Sequence, residues 1–144
     1  MLPQLILGSI VTTLSIFIEI AFIFTAIRMM ARISRSHVLK SRLLTLMFYL
    51  AGITLWLLFA FTIVTWIWAL TFLSLNTFSS LEESVYFSMV AFTSLGFGDV
   101  VLEKEWRILS GIVAANGLLL FGLNTAVLVE TLRQVLESVK GTVK

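Results

Sequence analysis

Thr93-Ser94-Leu95-Gly96-Phe97-Gly98-Asp99 is the stretch on which the reading of this 144-residue chain turns. Two glycines alternate with an aromatic residue and an acid closes the run. That pattern does not suit the interior of a helix or strand, but it does suit an extended loop of unusual dihedral angles. Such a loop can turn successive carbonyls to one side. A Gly-Phe-Gly triplet taken alone is weak evidence, so its flanks decide what it is.

Upstream, Ser79 with Glu82 and Ser80 with Glu83 each match the S-x-x-E capping box that starts a helix. The helix begun there, about 81–93, reaches only ~18 Å at ~1.5 Å per residue, half a membrane. It reads as re-entrant. A half-helix ending directly before a glycine-rich loop points the negative end of its dipole into the membrane interior, where a cation is stabilised. Non-helical backbone is tolerated at that depth only where it is buried in protein or lines a water-filled path.

The rest of the composition agrees with a membrane setting. The chain is 59% hydrophobic, with a mean hydropathy of +1.05, outside the range of a soluble domain. Three apolar runs, about 2–27, 43–75 and 106–136, are each long enough to cross a ~30 Å hydrocarbon core. A signal peptide is the rival reading of the first, but Arg28, Arg32 and Arg35 follow the apolar run and no small-residue cleavage site appears. With no cysteine and a single histidine, disulfides and thiolate metal sites are excluded and zinc chemistry is disfavoured. No nucleophile–base pair or metal cluster is visible, so an enzyme is not expected; neither a cofactor nor a nucleic-acid partner is expected.

Charge supplies the topology. Arg28, Arg32, Arg35, Lys40 and Arg42 form a basic block that the positive-inside rule places in the cytoplasm, and Arg133, Lys140 and Lys144 gather at the far end of the third run. Eight of the ten basic residues therefore fall on one side. The other side collects Glu82, Glu83, Asp99, Glu103 and Glu105 against Lys104 and Arg107. The N-terminus is expected outside and the C-terminus inside. His37 reads as a solvated loop residue. Trp66 and Trp68 read as headgroup-level anchors, and Gly52 as a site for close helix contact. Glu19 sits within the first span, where an ionised carboxylate costs several kcal/mol unless paired or wetted. It is either a proton- or cation-sensing group or a hydrogen-bonded structural acid near another helix, helped by Ser15. Asn116 and Asn124 are costly to leave unpaired in lipid, so each is expected to face a cavity or another subunit.

The segment from Thr93 to Asp99 closely resembles the selectivity filter of the potassium-channel superfamily, T-V-G-Y-G followed by Asp. Asn116-Gly117-Leu118-Leu119-Leu120-Phe121-Gly122-Leu123-Asn124-Thr125-Ala126 is similar to the inner helix of bacterial pore-only members. Trp106 keeps the family's spacing from the filter Asp, one residue is missing between it and Gly117, and Tyr86 and Phe87 take the place of the pore-helix aromatic pair. The resemblance spans about 43–129, and nothing familiar matches residues 1–42.

What the resemblance implies is an all-α membrane protein with three transmembrane helices, a re-entrant pore helix and a filter loop, assembled as a tetrameric pore. The implied division is an extra N-terminal helix with its basic loop (1–42), a pore domain (43–136) and a short cytoplasmic tail (137–144). The pore domain comprises an outer helix (43–75), pore helix (81–93), filter (94–98) and inner helix (106–136). Ser94, Leu95, Gly96, Phe97 and Gly98 would bind potassium through backbone carbonyls, supported by Tyr86, Thr93, Asp99 and Trp106. Ala114, Leu118, Phe121 and Thr125 share a helical face that would line the cavity, helix packing being the other reading. Gly117 is either a gating hinge or a close-packing residue. Asp99, with Val90 where some members keep an acid, needs a donor, and Tyr86 and Trp106 are the two candidates.

The implied function is potassium conduction by a homotetramer in a lipid bilayer, by likeness a bacterial inner membrane. Ser94 for Thr, Leu95 for Val and Phe97 for Tyr depart from the family pattern. The alternatives they leave open are a poorly selective monovalent cation channel and a non-conducting pore-like scaffold or auxiliary subunit.

Overall fold

The computed structural model describes residues 1–34 and 43–140, with side chains described for 1–30 and 44–137. The side chain of Arg32, and Arg35, His37, Lys40, Arg42 and residues 141–144, thus lie outside the described residues. The described residues form four helices: α1 Leu2–Ser34, α2 Leu43–Ser74, α3 Leu81–Phe92 and α4 Arg107–Lys140. Three of them are long and apolar enough to cross a membrane, over Leu2–Met30, Leu44–Ser74 and Arg107–Glu137. The chain is an all-α integral membrane protein.

Two helices outrun their apolar segments. α1 continues to Ser34, so Arg28 and Arg32 belong to a helix rather than to the expected loop. Arg, Met and Ala are strong helix formers, and the serine-rich turn signal begins only at Ser34. α4 continues past Leu136 to Lys140, and in this last stretch Glu137 pairs with Arg133 one turn back, at 3.1 Å. At the other end of the chain, Pro3 sits in the first turn of α1, where its missing N–H costs nothing.

α1 lies alongside both long helices of the remaining chain, parallel to α4 and antiparallel to α2. The register is legible from one end to the other. Gln4 meets Glu105 and Ile108, Gly8 meets Leu109 and Ile112, and Met30 meets Thr131. Between α1 and α2 the Trp56 indole donates to the Phe22 carbonyl at 3.1 Å, with the two rings 4.9 Å apart.

The packed interior gathers around α3. Trp68, Phe72, Phe92, Leu109, Val113 and Leu120 are all fully buried there. Helix association in lipid rests on this close packing, since lipid tails are as apolar as the side chains themselves. Trp68 is accordingly core and stacks on Phe72, not the headgroup anchor its position suggested; Trp66, 43% exposed, points outward. Gly52 makes no close contact either, having open space where a Cβ would stand. The glycines at tight crossings are Gly8 and Gly117.

Asn116 and Asn124 also differ from expectation. Both are buried within the chain, 1% and 8% exposed. α1, whose sequence announces no partner, covers the face of α4 that carries Asn124, and Glu19 of α1 lies close to it without closing a hydrogen bond. Glu19 is itself fully buried. Ser15 does not help it, because its hydroxyl donates back to the Val11 carbonyl at 2.7 Å.

Candidate functional site

The site begins with the start of α3. Of the two capping-box matches, the structure uses Ser80 as N-cap: its hydroxyl accepts from the Glu83 N–H at 3.1 Å. Glu83 reaches back one residue further than the usual box, accepting from the N–H and hydroxyl of Ser79. A side-chain cap of this kind is worth ~1 kcal/mol. The twelve-residue helix is thereby fixed at one end.

Its other end closes in a Schellman motif. The Ser94 N–H donates to the Ala91 carbonyl at 2.9 Å and the Leu95 N–H to the Val90 carbonyl at 3.0 Å. The motif needs a left-handed residue at Ser94, whose φ is 60°. Glycine ordinarily stands there, since a side chain in that conformation costs ~1–2 kcal/mol. The sequence pattern gave no sign of this, because a serine before Leu-Gly reads as an ordinary loop residue. Thr93 serves the same helix end, its hydroxyl donating to the Met89 carbonyl at 2.7 Å.

From Ser94 onward φ alternates in sign: it is positive at Ser94 (60°), Gly96 (57°) and Gly98 (79°), and not at Leu95 or Phe97. Alternation between right- and left-handed residues turns successive N–H groups to one side and successive carbonyls to the other. In the single chain all five residues from 94 to 98 are exposed, Leu95 at 61% and Phe97 at 66%. Phe87, by contrast, is buried against Phe72 and Phe78. The two aromatics therefore do not meet within the chain.

Beyond the loop, Asp99 accepts a hydrogen bond from the Tyr86 hydroxyl at 2.5 Å. That bond is the main reason the Asp99 carboxyl is held below its ordinary range and the Tyr86 hydroxyl above its own. Trp106, the other candidate donor, packs instead against the core around α3. The loop after Asp99 is anchored midway by Leu102, which is 2% exposed.

The residues singled out on α4 fall into two groups. Ala114 lines a groove beside the loop, together with Val90, Ser94, Gly96, Gly98 and Gly111. Leu118, Phe121 and Thr125 lie exposed further along the helix. Phe121 nonetheless packs against Phe61 of α2, the two rings tilted with centroids 4.6 Å apart, and the Thr125 hydroxyl donates to the Phe121 carbonyl. Gly117 marks the tightest crossing: a Cβ built on it would lie 1.8 Å from the Phe92 carbonyl oxygen. Space alone accounts for the glycine. Among the described residues, no group of three or more His, Cys, Asp or Glu is placed to hold a metal ion.

Comparison with curated proteins and with solved structures gives no match. A family model described as an ion channel matches residues 60–134, half of the chain, and takes in α3, the loop and most of α4. The chain belongs to that family, the two-helix ion-channel pores of the potassium-channel superfamily.

Proposed function

We propose that this ion channel conducts potassium through a ring of carbonyls contributed by residues 94–98 of four identical chains. The observation that carries the reading is the alternating φ of Ser94 to Gly98, directly after a half-length helix. One chain supplies one strand of carbonyls, and a cage around an ion takes several, which is why a homotetramer with the path on its axis is the assembly inferred. Ions enter past Asp99 and the exposed acids Glu82, Glu103 and Glu105. They shed water at the carbonyls and rehydrate in a cavity bordered by Ala114, Leu118, Phe121 and Thr125. Residues 43–136 form the pore unit, 1–42 an added helix and basic loop, and 137–144 a tail. The acidic filter end faces outward, with the N-terminus outside and the C-terminus in the cytoplasm.

A poorly selective monovalent cation channel is the second reading. It is favoured by one observation, that the side chains of Leu95 and Phe97 stand exposed in their own chain. Purified protein in liposomes under opposed potassium and sodium gradients separates the two. The potassium reading expects a reversal potential near the potassium equilibrium value. A potential indifferent to exchanging the two ions refutes it, and absence of flux from folded protein refutes conduction altogether.

A further inference from the structure

Helix α4 begins without a cap of its own. The residue before Arg107 is Trp106, whose side chain carries no acceptor oxygen. The acceptor comes from another helix. Gln4 of α1, 6% exposed, accepts from the Ile108 N–H through Oε1 at 3.2 Å and donates from Nε2 to the Glu105 carbonyl. The two bonds fix the amide's orientation, because a flip would set Nε2 against an N–H and Oε1 against a carbonyl. Ile108 is the second residue of α4, one of the positions whose N–H an N-cap side chain ordinarily takes. Gln4 therefore caps α4 in trans, and with the same amide it holds the last turn of the loop that follows the filter.

That loop is tied at both ends. Asp99 is held to α3 by Tyr86, and Glu105 is held to α1 by Gln4. Carbonyls gathered around a shared path repel one another when no cation lies between them, so whatever frames the loop limits how readily the cage opens. We infer that Gln4 is a positioning residue for the ion path. It couples the added helix to the outer mouth by holding residues 105–108 at a fixed height against α1. This role rests on the reading of residues 94–98 as a carbonyl cage.

The test uses the full chain reconstituted in liposomes, with Gln4→Leu, which keeps volume and removes both bonds, and Gln4→Glu, which keeps an acceptor for Ile108 and loses the donor. Two quantities are read: amide hydrogen exchange at residues 105–110, and the rate at which potassium flux decays when outer potassium is lowered. Loss of a cap predicts about fivefold faster exchange at Ile108 in Gln4→Leu. Flux decay is expected to speed up by a similar factor, to slow again when outer potassium is raised, and to be intermediate in Gln4→Glu. The reversal potential stays unchanged. A residue that merely anchors α1 lowers thermal stability without moving the potassium dependence of the decay, and that result overturns the proposal, as does unchanged exchange at Ile108 in both variants. If Gln4→Leu fails to assemble, Gln4→Glu carries the same comparison. Absence of flux from the wild-type protein overturns the cage reading instead, and the exchange measurement then judges the cap by itself.

Discussion

Replacing Gly117 with alanine places a methyl group 1.8 Å from the Phe92 carbonyl oxygen, 2.7 Å from its carbon and 3.1 Å from its Cα, where side chains keep at least 3.0 Å. The obstructing atoms are backbone, so no rotamer change relieves the clash. Phe92 cannot retreat easily, being fully buried with its ring 4.6 Å from that of Phe61. The residues after it are caught in the bonds from Ser94 to Ala91 and from Leu95 to Val90. α4 and the end of α3 must therefore part by more than an ångström, loosening Val113 and Leu120 as well. Overpacking of this kind costs ~1–3 kcal/mol, against a gain of ~0.5–1 kcal/mol for alanine over glycine inside a helix. Because the clash is with backbone, the cost falls at the upper end of that range, about 3 kcal/mol, and the expected net loss is about 2 kcal/mol, read as a lowered unfolding midpoint of the purified protein together with reduced flux. Gly52→Ala is the control: with nothing within 4 Å, it is expected to be neutral or stabilising by up to ~1 kcal/mol. A Gly117→Ala protein as stable as wild type, with only its opening altered, refutes the steric argument. That result is what a pure hinge predicts.

Ser94→Gly is expected to stabilise the protein by ~0.5–1 kcal/mol, because it relieves a left-handed residue with a side chain, and Ser94→Thr to destabilise it by a similar amount through its branched Cβ. Thermal unfolding ranks the three, and a Thr variant more stable than the wild type would count against the Schellman geometry. Tyr86→Phe removes the donor that holds Asp99 low, so the Asp99 titration followed by NMR should move up towards the ordinary aspartate range; no movement would show that Tyr86 is not the cause. The sign of the pH effect follows from the two shifts. Asp99's contribution is present above its unfolded value near ~4 and lost as pH falls through its lower folded value. Tyr86's is present below ~10 and lost as pH rises through its higher folded value. In wild-type protein the bond's stabilisation is expected to be full between about pH 4 and pH 10 and to fade beyond those limits, and Tyr86→Phe is expected to abolish both limits.

By itself the sequence determined the class of fold and the place of the candidate site. Hydropathy identifies the spans, a capping box announces α3, and two glycines spaced around Phe97 mark the loop after it, because each of these signals is local. Tertiary structure decided which neighbour each face meets. α2 is apolar on every side, so nothing in its sequence separates buried Trp68 from outward Trp66. Asn124 stands three residues after Phe121, at the edge of the face that Phe121 and Thr125 share, and periodicity cannot say that α1 covers it. Gln4, near the start of a helix matching nothing familiar, shows its role only when α1 and α4 lie parallel and bring it to Glu105 and Ile108. The loop's backbone was legible at Gly96 and Gly98, where glycine permits a positive φ. It was not legible at Ser94, where the Schellman bonds of α3 impose one on a residue that does not prefer it.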